Sequence, residues 1–310
     1  MLGGLIIVVL ALASWPALAV DFITILTGGT SGVYYPLGIA LSDIYADAVP
    51  GVRVQVQATK ASVENLTLLQ QGRGDVAFAL GDALDLAWEG DEAAGFKSKA
   101  DKLRVIAAIY PNYIHFVVRA DSGIDSLADL KGKRISVGAP NSGTAINART
   151  IIEAAGLSES DFAAVEHLPY AESVELMKTG RIDGTLLSSG IGVPALRDLA
   201  ASVDVRFLPI PDELIRRVGP PYLPLSIPAG TYPGQTADVP TAGVLNFLVT
   251  REGMAPDTVY VMTKSMFEHL DQLISAQPAA KGIDPAAAAP SLRVPFHPGA
   301  ERYYKEKGLM

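Results

Sequence analysis

The segment Leu68–Asp75, LLQQGRGD, returns a hundred residues later as Leu176–Asp183, LMKTGRID, and an apolar strand-like run follows each copy. Each copy reads as the end of a helix, stopped by a glycine that tolerates left-handed backbone, then Arg-x-Asp before a strand. A second echo lies upstream, in the same order. Phe22 to Leu26 is a short β-rich run, followed by the turn Thr27-Gly28-Gly29-Thr30-Ser31-Gly32. Val33, Leu37, Ala40, Leu41, Ile44 and Ala48 then recur at helical spacing. In the second half Ile135 to Val137 is a strand, Asn141-Ser142-Gly143-Thr144 a turn, and Ala145, Ala148, Ile152 and Ala155 a helical stripe closed by Gly156. Two echoes in one order predict paired lobes of like design. Two unrelated α/β units would share the glycine stops alone.

Between these landmarks Val52, Val54 and Val56 alternate as a strand. Ser62 stands where a helix cap belongs, ahead of Val63, Leu66 and Leu69, and Val76 to Leu80 reads as a buried strand. This β-α-β-α-β order predicts an α/β protein with a mainly parallel sheet and helices on both faces. Two segments are candidate crossings between lobes: His115 to Arg119, and Thr241 to Val249 after a Pro- and Gly-rich stretch. They give a discontinuous first lobe of residues 20–118 plus 241–310, a second of 119–240, and a hinged clamshell with a central cleft. The tail around Ala286 to Pro295 is expected to pack as an extension on the surface.

The chain is 310 residues long, with 49% hydrophobic and 19% charged residues, enough for two packed cores and too apolar for a disordered chain. A formal charge of −8 argues against nucleic acid, whose phosphates need clustered Lys and Arg; small anions answer to local dipoles instead. The absence of cysteine removes disulfides and thiolate chemistry. Leu5 to Leu12 is apolar and ends in Ser14-Trp15-Pro16 and Ala17-Leu18-Ala19, the pattern of a secretory signal over residues 1–19, cleaved after Ala19. No Lys or Arg precedes that run, so an uncleaved membrane anchor is the alternative. The expected location is periplasmic.

The Thr27–Gly32 turn follows a strand and opens a helix, so its free N–H groups make an anion seat, or else its glycines serve a tight turn. No Lys-Ser or Lys-Thr pair makes it a phosphate loop, and the glycine spacing is wrong for a dinucleotide. Asn141-Ser142-Gly143-Thr144 is a second seat of the same kind. Neither turn contains Lys or Arg, so recognition is expected from amides and hydroxyls. Thr59, Ser62 and Asn65 cluster at the next strand-to-helix junction, Ser62 as a ligand group or as a cap. Asp82 follows a strand at the end where open α/β sheets bind ligands, positioned for a ligand ammonium or for capping the next helix. His115, His167, His269 and His297 have no metal-ligand spacing, and no Gly-x-Ser-x-Gly elbow occurs. Neither a catalytic site nor a metal is expected.

The chain resembles the TAXI family, the solute-binding receptors of TRAP-type transporters, from about Ile23 to Gly308. The resemblance rests on Gly28-Gly29-Thr30-Ser31-Gly32-Val33-Tyr34-Tyr35-Pro36-Leu37-Gly38 and Ala61-Ser62-Val63-Glu64-Asn65-Leu66. It continues in Asp129-Leu130-Lys131-Gly132-Lys133-Arg134, Ser142-Gly143-Thr144 and His297-Pro298-Gly299-Ala300-Glu301-Arg302-Tyr303-Tyr304. It implies a type II periplasmic-binding-protein fold, no cofactor, a monomer, and delivery of a small carboxylate to an ion-driven TRAP-type permease. Glutamate, glutamine and 2-oxoglutarate are family ligands. The contacts it implies are Ser31, Tyr34, Thr59, Ser62, Asn65, Asp82, Asn141, Ser142, Gly143 and Thr144. Two departures stand near them: Leu80 where the family often has Gln, and Ala145 where it often has Glu. A sensory receptor without transport is the alternative from another class.

Overall fold

The structure, a computed structural model, describes residues 21–310; the expected signal segment lies outside them. The first half runs β1 (Asp21–Leu26), α1 (Tyr34–Ala48), β2 (Val52–Gln57), α2 (Ser62–Gln70), β3 (Val76–Leu80) and α3 (Gly81–Glu89), then the long β4 (Leu103–Arg119). The second half runs β5 (Arg134–Ser136), α4 (Gly143–Ala154), β6 (Ala164–Glu166), α5 (Tyr170–Lys178), β7 (Gly184–Ser189), α6 (Pro194–Ser202), β8 (Val205–Leu208), α7 (Asp212–Val218) and β9 (Leu223–Ile227). The chain returns through β10 (Val239–Arg251) to α8 (Pro256–Glu268), α9 (Leu270–Ala276) and α10 (Pro298–Glu306).

Burial explains the character of each strand. Every residue of β3 is buried, so its VAFAL run shows no alternation, whereas β2 alternates half-buried and exposed because it forms the sheet edge. The order β2-β1-β3-β10-β4-β7-β5-β6 joins both halves, with β9 beside β10 and β8 beside β4. Among the named strands, parallel pairing joins β1 with β2 and β3, and β5 with β6 and β7. The pairs made by β4 and β10 are antiparallel, so the sheet is mixed rather than mainly parallel. Periodicity shows that a strand exists, not which way its neighbour runs.

The Gly-Arg-x-Asp echo has one structural job in both halves. Arg73 N–H reaches Leu68 O at 2.8 Å and Arg181 N–H reaches Leu176 O at 2.9 Å, the long bond of a glycine-terminated helix. Asp75 then exchanges bonds with Thr24 of β1: its N–H reaches Thr24 O at 3.0 Å, and its carboxylate accepts from Thr24 N–H at 2.9 Å. Asp183 does the same with Arg134 of β5, at 2.7 and 2.8 Å. The aspartate ties the new strand to the first strand of its own unit.

The stretch from Ala286 to Pro295 stays largely at the surface, with Ala288 and Val294 buried, and leads into residues that pack on β4. Pro295 O accepts from Val105 N–H and His297 N–H donates to Val105 O, each at 2.9 Å, which lays the segment along β4. Tyr304 is fully buried, its hydroxyl on Ile106 O at 2.9 Å, and His297 caps α10 by accepting from Gly299 N–H.

Candidate functional site

Four helices begin at one cleft. Val33-Tyr34 opens α1, Ala61-Ser62 opens α2, Ser142-Gly143 opens α4 and Pro169-Tyr170 opens α5, and all eight residues line a cavity of about 770 Å³, its mouth included. Two of these helices come from each half. The first turns of α1, α2 and α5 carry no side-chain cap, so the positive ends of their dipoles lie uncapped at the cleft, with Glu64 N–H of α2 already given to a backbone carbonyl. Gly28, Gly29 and Gly32 form part of the wall. Among the described residues no carboxylate lines it, and Lys60 at the rim is the one charged side chain in the lining.

The halves are closed on each other. Ala195 N–H of α6 donates to Ser31 O at 3.2 Å, and Glu64 N–H of α2 donates to Asn141 O at 3.2 Å. Gly143 lies against Leu80 and Ser62, with no room between for a methyl group.

Of the ten residues singled out in the sequence, Ser31, Tyr34, Thr59, Ser62, Ser142, Gly143 and Thr144 line the cleft. Asn65, Asp82 and Asn141 do not. Asn65 is fully buried behind the wall; its amide donates to Thr27 O and Phe78 O at 2.7 and 2.8 Å and accepts from Thr59 at 2.6 Å. Asn141, at φ 60°, turns its side chain to a separate groove lined by Glu92, Arg149 and His167. Ser62 is not a cap: it is the first residue of α2, and its Oγ accepts from Leu80 N–H across the sheet end at 3.1 Å. Sequence reasoning missed Lys60, Asn112, Tyr170, Ser188 and Ser189. Ser188 and Ser189 end the apolar run of β7 and hold the place that Leu80 and Gly81 hold after β3, so the repeat carried that signal. The start of α5 carries neither a capping residue nor a glycine to mark it.

Most polar side chains of the lining carry a hydroxyl, yet most of these have already spent their proton. Ser142 Oγ donates to Ala139 O at 2.6 Å and accepts from Ala145 N–H, which makes it the cap of α4. Tyr170 donates to Ser188 O at 2.6 Å, so the 2.8 Å contact with Thr144 must be donated by Thr144. Tyr34 donates to Asn246 Oδ1 at 2.5 Å, an orientation fixed by Asn246 Nδ2 on Tyr110 O. Thr59 donates to Asn65 Oδ1 or Thr27 O. Burial pushes the Tyr170 phenol up to about 12 and the Tyr34 phenol upward as well, so both stay neutral. Donors for an anion are therefore backbone N–H groups, with Ser31, Ser62, Ser189 and Lys60 beside them. The expected grip of Ser142 and Thr144 hydroxyls on a carboxylate is not available in this geometry.

Asp82 is buried at the start of α3 and saturated. Its carboxylate accepts from its neighbour Ala83 N–H at 2.8 Å, from Asn147 Nδ2 of α4 at 2.6 Å and from the Tyr222 hydroxyl at 2.7 Å. Burial raises it to about 6, against these bonds, which pull the other way. It bridges the halves and does not line the cleft.

Residues 25–308 match the NMT1-like family, nearly the whole described chain. The chain belongs to that family. Among solved structures, this NMT1-like protein is similar to the alkanesulfonate-binding protein SsuA from Xanthomonas axonopodis pv. citri bound to MOPS. The two share 16% identity over 88% of this chain and 87% of that one, with a TM-score of 0.53. PhnD1 from Prochlorococcus marinus (MIT 9301), in complex with methylphosphonate, gives 12% identity over 94% and 99% and a TM-score of 0.58. A putative L-cystine ABC transporter protein from Listeria monocytogenes gives 15% over 87% and 99%, at 0.52. At these identities the likeness establishes the fold: two α/β lobes of the periplasmic-binding type.

Proposed function

We propose that this NMT1-like protein is an extracytoplasmic receptor that closes on a small organic carboxylate and delivers it to a membrane transporter. The observation that carries this reading is the convergence of four helix N-termini, two from each lobe, on a cleft without a carboxylate. Such a wall favours negative charge from both sides and is completed when the lobes meet. Backbone dipoles and a single exposed lysine orient an anion without holding it too tightly for release. With Asp82 spent on Asn147 and Tyr222, the cleft offers an ammonium no carboxylate, which favours dicarboxylates over amino acids. The resemblance to TAXI receptors makes a TRAP-type permease the proposed partner. Among the described residues no helix is long and apolar enough to cross a membrane.

The hinge of this reading lies where β4 and β10 change neighbours. Ala107 and Ala108 pair with β10 residues of the first lobe, whereas Tyr113 to Val118 pair with β7. Along β10, Gly243 is the last residue paired with β9 and Asn246 the first paired with β3. Bending at 109–112 and 244–245 is proposed, ahead of the His115–Arg119 segment expected from sequence.

A thermal-shift screen tests the function. A carboxylate of four or five carbons at 100-fold excess over Kd should add about 2.7 kcal/mol to the native state. Methylphosphonate and alkanesulfonates belong in the same screen, as do sugars and divalent ions. Stabilisation by sugars or metals, with none by any anion, would contradict the proposal.

A further inference from the structure

A chain of buried polar side chains runs from Asp82 to the cleft. Asp82 accepts from Asn147 Nδ2, Asn147 Oδ1 accepts from Ser188 Oγ, and Ser188 Oγ accepts from Asn112 Nδ2 at 2.5 Å. Asp82, Asn112 and Asn147 are at most 4% exposed, and Ser188 and Asn112 line the cleft. Serine and asparagine both donate and accept, whereas an ionised carboxylate only accepts. Asp82 is thus the one member that sets a direction. It turns Asn147 Nδ2 toward itself, which leaves Asn147 Oδ1 for Ser188, makes Ser188 a donor there, and requires Asn112 to donate in its turn. Asn112 Oδ1 then has no protein partner among the described residues. It is also absent from the sealed, unpaired atoms, which are those of Tyr45, Tyr110, His115 and Thr185. It is open to the cleft.

We propose that Asp82 is a positioning residue that, through Asn147 and Ser188, fixes Asn112 with its amide oxygen toward the ligand, and so selects anions that also carry a hydroxyl donor. The inference rests on the anion-binding reading of the cleft. An acceptor standing among donors discriminates, because an acid without a matching hydroxyl leaves a buried oxygen unpaired. An amide at position 82 supplies a donor, which allows each amide in the chain to turn over and presents Asn112 Nδ2 instead. Protonation of Asp82 releases the direction in the same way. The groups facing its carboxylate are Asn147 of α4, Tyr222 before β9 and Ala83 N–H. Asp85 on its own helix and the neutral Tyr34 of α1 are the other titratable groups acting on it.

Two measurements test this. In the unliganded protein, the Asp82 carboxyl carbon and the Asn112 side-chain amide are followed by NMR from about pH 5 to about pH 8. Both should titrate with one midpoint, and Ser188→Ala should abolish the Asn112 response while Asp82 still titrates. An Asn112 amide that ignores Asp82 in the wild type would overturn the proposal, whatever the ligand. In calorimetry at neutral pH, malate should bind about tenfold tighter than succinate, with the ratio falling to near one in Asp82→Asn. An unchanged ratio in that variant would also overturn it. Failure of both acids to bind would instead count against the anion reading of the cleft, and the NMR result would then decide the relay by itself.

Discussion

A methyl group at position 143 would sit 2.6 Å from both Leu80 Cδ1 and Ser62 Oγ, atoms of the opposite lobe. Gly143→Ala should therefore weaken binding of a lobe-closing ligand by at least about tenfold while leaving the melting temperature of the unliganded protein nearly unchanged. Calorimetry beside a melting curve checks this; unaltered affinity would mean that the closed contact is not the liganded one. The glycine was legible as part of a turn, but its reason was not: it makes room for a neighbouring lobe, and sequence shows no lobe contacts. Asp82 was legible as a carboxylate at a strand end. Its partners lie 65 and 140 residues away, beyond any local pattern. A carboxyl raised by burial to about 6 keeps in the fold a proton that the unfolded chain releases nearer pH 4. Its contribution to stability should be greatest below that pH, fall by about 3 kcal/mol as pH rises to 6, and stay level above. Carboxylates held down in the fold, such as Asp183 by Arg134, change stability in the opposite sense and only at lower pH. Urea denaturation at several pH values should show the pH 4–6 fall in the wild type and not in Asp82→Asn.

At the scale of elements, the repeat was the most legible part of the chain, because helix stops and strand starts are written in adjacent residues. Asp75 and Asp183 make the same pair of bonds to the first strand of their units, and each holds an arginine: Arg251 at 2.7 Å and Arg134 at 2.5 Å. Asp75→Ala and Asp183→Ala should each cost about 2 kcal/mol in urea denaturation, to similar extents, since each leaves a backbone N–H and a guanidinium without their acceptor. A loss in one and none in the other would break the equivalence of the units. The start of α5 was not legible, although Tyr170 and Pro169 complete the cleft. The direction of β4 and β10 escaped for a different reason: a strand that serves two lobes carries the apolar pattern of both.

For the whole molecule, the two-lobed α/β plan followed from the doubled pattern, whereas the content of the cleft depended on which hydroxyls still have a proton to give. That is a property of assembled hydrogen bonds. The chain listing of serines and threonines suggested a hydroxyl-lined grip; in the folded protein backbone amides remain as the main donors. The most direct test is an amide-resolved NMR titration with the acid that gives the largest thermal shift. The largest changes should fall on the backbone N–H groups of residues 33–35, 62–63, 143–144 and 170–172, the first turns of α1, α2, α4 and α5. Changes confined to one lobe, or centred on the groove beside Asn141 and His167, would contradict anion binding by the four helix N-termini.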